Sequence, residues 1–215
     1  MRRLLVLVGL CLALPAPADA ALQPDRLMAS VAKELNVYWH GEFAALGRRY
    51  TRLPHLYAYS RRVRDACGWT ILGNASYCER DRSISYDRRL VAAAAKRSEF
   101  AAATILAHEW GHYVQAQLGW LAWAKRRNYW LGVELQADCY AGMFLRYAND
   151  AALLEPGDRD AAIQLMASIG ENLPVKPTTR GAHGTSRQRV RWFTSGYDTG
   201  DLTTCGSVYR AVYGK

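Results

Sequence analysis

The chain has 215 residues, half of them apolar, and a formal net charge of +9. That length suits one domain with a core of ordinary size, and the sequence has no internal repeat or low-complexity tract. The excess charge lies in short clusters, Arg48-Arg49, Arg61 to Arg64, Arg88-Arg89, Lys125 to Arg127 and Arg187 to Arg191, without an aromatic-basic recognition motif, so nucleic acid is not an expected partner.

Residues 1–20 read as an export signal. Arg2 and Arg3 precede an apolar run from Leu4 to Leu14, and Ala18-Asp19-Ala20 offers small residues for cleavage after Ala20. The run is too short to span a bilayer, and Cys11 follows Leu10 rather than a small residue, a poor lipoprotein signal. The expected product is one domain, residues 21–215, exported to the periplasm or secreted, with no stable membrane span. Its basic clusters read as solvated surface; attraction to anionic envelope surfaces or acidic substrates is the alternative.

Leu22 to Leu46 has a helical pattern, with Leu27, Val31, Leu35, Tyr38 and Trp39 on one side and Gly47 after it. Tyr50 to Tyr59, interrupted by Pro54, suits an extended edge segment. Cys67 and Cys78 flank a loop containing Gly, Asn and Ser and are the favoured disulfide pair, whose short loop would contribute about 2–3 kcal/mol. Ile84 to Tyr86 is a short strand, and Val91 to Ala95 a short helix. His40 and His55 have no partner at ligand spacing and are read as structural.

A longer helix opens at Ser98 as N-cap. Phe100, Thr104, Ala107, Gly111, Val114 and Leu118 recur near the 3.6-residue period, and Gly119 stops the run. It carries His108-Glu109-Trp110-Gly111-His112. Four residues advance a helix by about 400° and roughly 6 Å, so the imidazoles of His108 and His112 share a face and can converge on one zinc ion. Glu109, rotated about 100° from His108, cannot join them as a ligand but can reach a water held there, the position of a general base.

Gly119 to Asn128 reads as a reversing loop, with Trp120, Trp123 and Trp130 as core or cleft wall, core being expected. Beyond it, Glu134-Leu135-Gln136-Ala137-Asp138 sets two carboxylates one turn apart on a helix whose neighbours Leu131, Val133, Leu135, Ala137, Cys139, Tyr140, Met143 and Phe144 are apolar. Buried carboxylates need partners or a metal. Glu134 fits as third ligand, leaving a fourth position for water, and Asp138 as acceptor of the free N–H of a ligating histidine. Cys139 and Cys205 are open to two readings, a second disulfide or buried thiols; no Cys-x-x-Cys spacing suggests that cysteines bind the metal.

After Pro156-Gly157, Asp158 is expected to cap a helix running through Ile169 to Gly170. A connection of about 14 residues from Glu171 to Gly184, with Pro174 and Pro177, is long enough to serve a site. It ends at His183, before a capping box Thr185-Ser186-Arg187-Gln188 that opens the last helix. His183 is open to two readings, a donor to developing negative charge or a loop residue touching its helix cap. Arg189 could hold Asp138 or grip substrate backbone.

The segments His108 to Gln115, Glu134 to Gly142 and His183 to Phe193, with weaker echoes at Ala66-Cys67-Gly68, Tyr77-Cys78 and Ala167 to Gly170, resemble the bacterial putative neutral zinc metallopeptidase family. The resemblance runs from about Leu35 to Cys205. It implies an α+β, mostly helical, zincin-like single domain of the gluzincin type, with an active-site helix, a second metal-ligand helix and a short edge sheet. It also implies Glu134 as third ligand beside His108 and His112 on zinc and favours His183 as oxyanion donor, but it gives no substrate. Metal-assisted hydrolysis of a peptide or protein, with Glu109 as base, is the mechanism these residues suggest. In zincins a strand such as Ile84 to Tyr86 borders the cleft and pairs with extended substrate. Many family members carry an N-terminal membrane helix where this chain has its signal-like segment. A peptidoglycan-directed zinc hydrolase and a non-catalytic zinc-stabilised interaction module of the envelope are the rival functions. Oligomeric state is not legible.

Overall fold

The computed structural model describes residues 24–214, so the signal-like residues 1–20 and their cleavage site lie outside the described part. The first helix, α1 (Pro24–Ala45), has Pro24 in its first turn, where the missing N–H costs nothing, and buries Met28, Leu35, Tyr38, Trp39 and Phe43. Then come β1 (His55–Tyr59), a small hairpin of β2 (Arg64–Asp65) and β3 (Gly68–Trp69), β4 (Ala75–Cys78) and β5 (Ser83–Asp87). The main sheet has the order β1-β5-β4, with β1 parallel and β4 antiparallel to β5. All five residues of β5 are buried, as befits a strand flanked on both sides.

That topology corrects one expectation. Ile84 to Tyr86 lies in the middle strand, where both hydrogen-bonding edges are taken, so it cannot receive an extended peptide. The outer strands are β1, as the Tyr50 to Tyr59 pattern suggested, and β4.

Helix α2 (Arg88–Ala95) is capped by Asp87, whose carboxylate accepts the Arg89 N–H at 2.9 Å. The central helix α3 (Glu99–Leu118) is capped by Ser98, whose hydroxyl accepts the Phe100 and Ala101 N–H groups, and ends at Gly119 with φ of 85°. The segment read as a reversing loop then contains a helix, α4 (Trp120–Lys125), because Leu121 and Ala124 recur at helical spacing and bury against the core. Helix α5 (Trp130–Asp150) runs back beside α3 and is buried nearly all round. In α6 (Asp158–Ser168) the cap position belongs to Gly157, not Asp158, whose carboxylate accepts instead from the Glu155 N–H and the Ser98 hydroxyl. Helix α7 (Ser186–Thr199) opens on the Thr185/Gln188 capping box, and α8 (Leu202–Gly206) and α9 (Val208–Tyr213) close the fold.

The molecule is thus a mostly helical single domain with a small sheet. Small residues set how closely its central helices approach. A Cβ on Gly111 of α3 would lie 3.0 Å from the Ala137 Cα of α5. Gly142 of α5 lies under the Phe193 carbonyl, and Gly196 of α7 under that of Cys139, with no room for a methyl at either. Disulfides join Cys67 to Cys78 and Cys139 to Cys205, the second tying α8 to α5. Among the described residues no helix is long and apolar enough to cross a membrane.

Candidate metal centre

The tight α3–α5 crossing at Gly111 and Ala137 brings the side chains of three residues to one point. His108 Nε2 lies 3.3 Å from Glu134 Oε2, and His112 Nε2 lies 3.6 Å from Glu134 Oε1. The three ligand atoms lie within 4.8 Å of one another. A tetrahedral zinc with bonds of about 2.0–2.1 Å requires its donors to stand roughly 3.3–3.4 Å apart, so the spacing and the His/His/Glu donor set both fit that ion. One other such group exists among the described residues, Asp65, Cys67 and Cys78, but its two thiols are consumed by their disulfide.

Both imidazoles are fixed from behind. His108 Nδ1 is 2.8 Å from Asp138 Oδ1, and His112 Nδ1 is 2.9 Å from Gln115 Oε1. A carboxylate and an amide oxygen can only accept, so each Nδ1 carries the proton and each Nε2 turns its lone pair to the common centre. Gln115 in turn donates to the Val133 carbonyl at 2.7 Å and to Gln136 Oε1 at 3.1 Å, which fixes its amide orientation. Gln136 Oε1 also accepts from the Tyr209 hydroxyl at 3.2 Å. This chain of amides was missed in the sequence. The signal was present, since Gln115 stands three residues after His112 on the same helix face.

Asp138 is fully buried and receives Arg189 as a two-pronged donor, Nε to Oδ2 at 3.0 Å and Nη2 to Oδ1 at 2.7 Å. Of the two readings of Arg189, the geometry therefore gives the carboxylate partner. Burial alone would raise the Asp138 pKa, but Arg189 and His108 outweigh it and hold the carboxyl below its ordinary range. Burial likewise opposes charge on His108, yet Asp138 and Glu134 lift its pKa to about 10. Glu134 is pulled down by His112 and His108 against its own burial.

The centre opens into a cleft of about 740 Å³, a volume in the range of ligand sites. Glu109 lines it beside His108 and His112. His183 lines it too, half-exposed, its backbone N–H held by Glu171 Oε1 at 3.0 Å and its Nδ1 3.8 Å from the same oxygen. Ala75, Ser76 and Tyr77 of the edge strand β4 form another wall. Trp130, expected in the core, is half-buried on the cleft wall with the Arg180 guanidinium 5.7 Å from its ring. Trp120 and Trp123 pack with Tyr209 away from the cleft.

Residues 16–208 match the family model described as "Putative neutral zinc metallopeptidase". The chain is 29% identical over 197 residues to uncharacterized protein YpfJ of Escherichia coli K12, covering 81% of this chain and 68% of that one. It is 32% identical over 192 residues to uncharacterized protein Rv2575 of Mycobacterium tuberculosis H37Rv, covering 77% of this chain and 65% of the relative. No solved structure matches it.

Proposed function

The chain belongs to the putative neutral zinc metallopeptidase family, and on that premise we propose that it is a zinc-dependent endopeptidase using Glu109 as general base. His108, His112 and Glu134 hold the metal. When bound, zinc supplies a Lewis acid that polarises a peptide carbonyl and acidifies water in its open position. The observation that carries the reading is the set of donor separations, 3.3 and 3.6 Å about Glu134, with Glu109 lining the same cleft.

The remaining steps fall to the chain's own groups. Glu109 takes a proton from the attacking water and returns it to the leaving amine, work that typically contributes 10²–10⁴-fold. His183, held at its backbone by Glu171, donates to the negative charge that develops on the carbonyl oxygen. Asp138, steadied by Arg189, and Gln115 keep the two imidazoles in the tautomer that can bind metal. The outer strand β4, three of whose residues line the cleft, suits an extended peptide better than a compact substrate. Two disulfides support an oxidising compartment, in keeping with residues 1–20 as a cleaved export signal.

The test is cleavage of a broad peptide library by the zinc-loaded protein and by its Glu109→Gln variant. Wild type should cleave, and the variant should lose at least about a hundredfold in turnover. Equal turnover by the two would remove Glu109 from the role of base.

A further inference from the structure

Residues 61–73 carry a feature that the metal centre leaves unused. In this hairpin Arg64 pairs with Trp69 and Asp65 with Gly68. Its tip is closed by Asp65 Oδ1, which accepts the Cys67 and Gly68 N–H groups at 2.7 and 2.9 Å. The Cys67–Cys78 disulfide ties that tip to β4, and the base is pinned by the Tyr59 hydroxyl, bonded to the Ile71 and Asn74 carbonyls at 2.7 Å each. Thr70 is turned inward, 4% exposed, its hydroxyl accepting the Val63 N–H. Its neighbours are turned outward, with Trp69 at 61%, Ile71 at 65%, Leu72 at 47% and Val63 at 37% exposure. Of the eleven large hydrophobic side chains exposed among the described residues, four fall between Val63 and Leu72. Because the backbone is fixed at tip and base, that exposure is built into the fold.

The same hairpin is basic. Arg61, Arg62 and Arg64 are exposed, and Arg80 joins them by donating to the Ala66 carbonyl at 3.1 Å. Among the described residues none of the four makes an ion pair, and the hairpin's one acid, Asp65, is bonded to its own backbone. The Arg62 guanidinium stands 5.8 Å from the Trp69 ring. A neutral apolar partner would leave the arginines without a role, and a soluble polyanion would leave Ile71 and Leu72 in water. A bilayer with acidic headgroups satisfies both, taking the apolar tips at the acyl boundary, the indole at the interface and the guanidinium groups at the phosphates.

We propose that the hairpin 61–73 docks this protein on an anionic bilayer surface. The inference is independent of hydrolysis but bears on it. Cys67, Gly73 and Arg80 line the same cleft as His108 and Glu134, so docking turns the cleft toward chain segments that lie close to the membrane.

The experiment follows tryptophan fluorescence of the full chain during titration with phosphatidylglycerol vesicles whose acyl chains carry bromine, a contact quencher. Wild type should be quenched, and Trp69→Phe should remove most of the quenching, which localises contact whatever residues 1–20 do. Phosphatidylcholine vesicles with the same brominated chains should quench at least tenfold less readily. Replacing Arg61, Arg62 and Arg64 by Gln should raise the half-quenching lipid concentration roughly a hundredfold, at about fivefold for each basic residue. Arg48→Gln with Arg49→Gln, exposed arginines on another segment, should change it less than about threefold. Ile71→Ser with Leu72→Ser should raise it more than tenfold. Quenching that survives Trp69→Phe, ignores lipid charge, or responds equally to Arg48 and Arg49 would overturn the proposal.

Discussion

Asp138 and Arg189, on α5 and α7 and 51 positions apart, meet as a two-pronged pair that is almost fully shielded from water. The same Asp138 oxygen that receives Arg189 Nη2 at 2.7 Å lies 2.8 Å from His108 Nδ1, so a contact between two helices sets the orientation of a proposed metal ligand.

Removing one partner of such a pair leaves the other charge buried. Arg189→Met should therefore destabilise the metal-free protein by about 3–5 kcal/mol, read from urea denaturation. The double variant Asp138→Leu/Arg189→Met should recover much of that loss. A double variant no better than Arg189→Met would mean that the pair's geometry, not its charge, matters.

The two shifted groups around Asp138 give metal-free stability a defined pH profile. Asp138 titrates in the folded state below its ordinary 3.8, so its contribution is full above that value and is lost as pH falls, a limb that Glu134 shares. His108 is raised from 6.5 to about 10, so its contribution is full below 6.5 and is lost as pH rises through about 10. Denaturation midpoints measured with chelator should thus be highest between those limits. In Asp138→Asn the alkaline limb should flatten, because Asp138 does more than Glu134 to raise His108. An unchanged alkaline limb would contradict the assignment.

Gln115→Leu keeps the helix and removes the acceptor behind His112. Zinc affinity, measured by competition with a chromophoric chelator, should fall about 10–100-fold with little change in fold. Unaltered affinity would show that His112 needs no such support.

The convergence of His108, His112 and Glu134, with Glu109 on the same cleft, was easier to read in the sequence than the geometry around it, because helical spacing converts position directly into direction. The Asp138–Arg189 pair was only one of two readings, since no local rule says that α7 returns to α5. That return depends on Gly142 and Gly196, whose role appears only when the backbones are seen in contact. The same limit hid the sheet order. Ile84 to Tyr86 was legible as a strand, but its substrate-pairing place came from the resemblance, and nothing local showed that β1 and β4 would pair on its two sides. Helix α4 was missed because six residues are too few for periodicity to speak.

The disulfides should differ in weight. By loop-closure entropy, replacing Cys139 and Cys205 together by Ala should cost about 4 kcal/mol, and replacing Cys67 and Cys78 about 3 kcal/mol, their loops spanning 66 and 11 positions. Thermal unfolding of the two double variants checks the order, and the reverse ranking would show that packing rather than loop length dominates.

The central claim is that α3 and α5 together hold one zinc ion through His108, His112 and Glu134. Metal analysis of purified wild type, Glu109→Gln and Glu134→Ala tests it most directly. The first two should carry one zinc per chain after dialysis, and Glu134→Ala should carry almost none. Full zinc in Glu134→Ala would mean that another residue completes the site and would contradict the account.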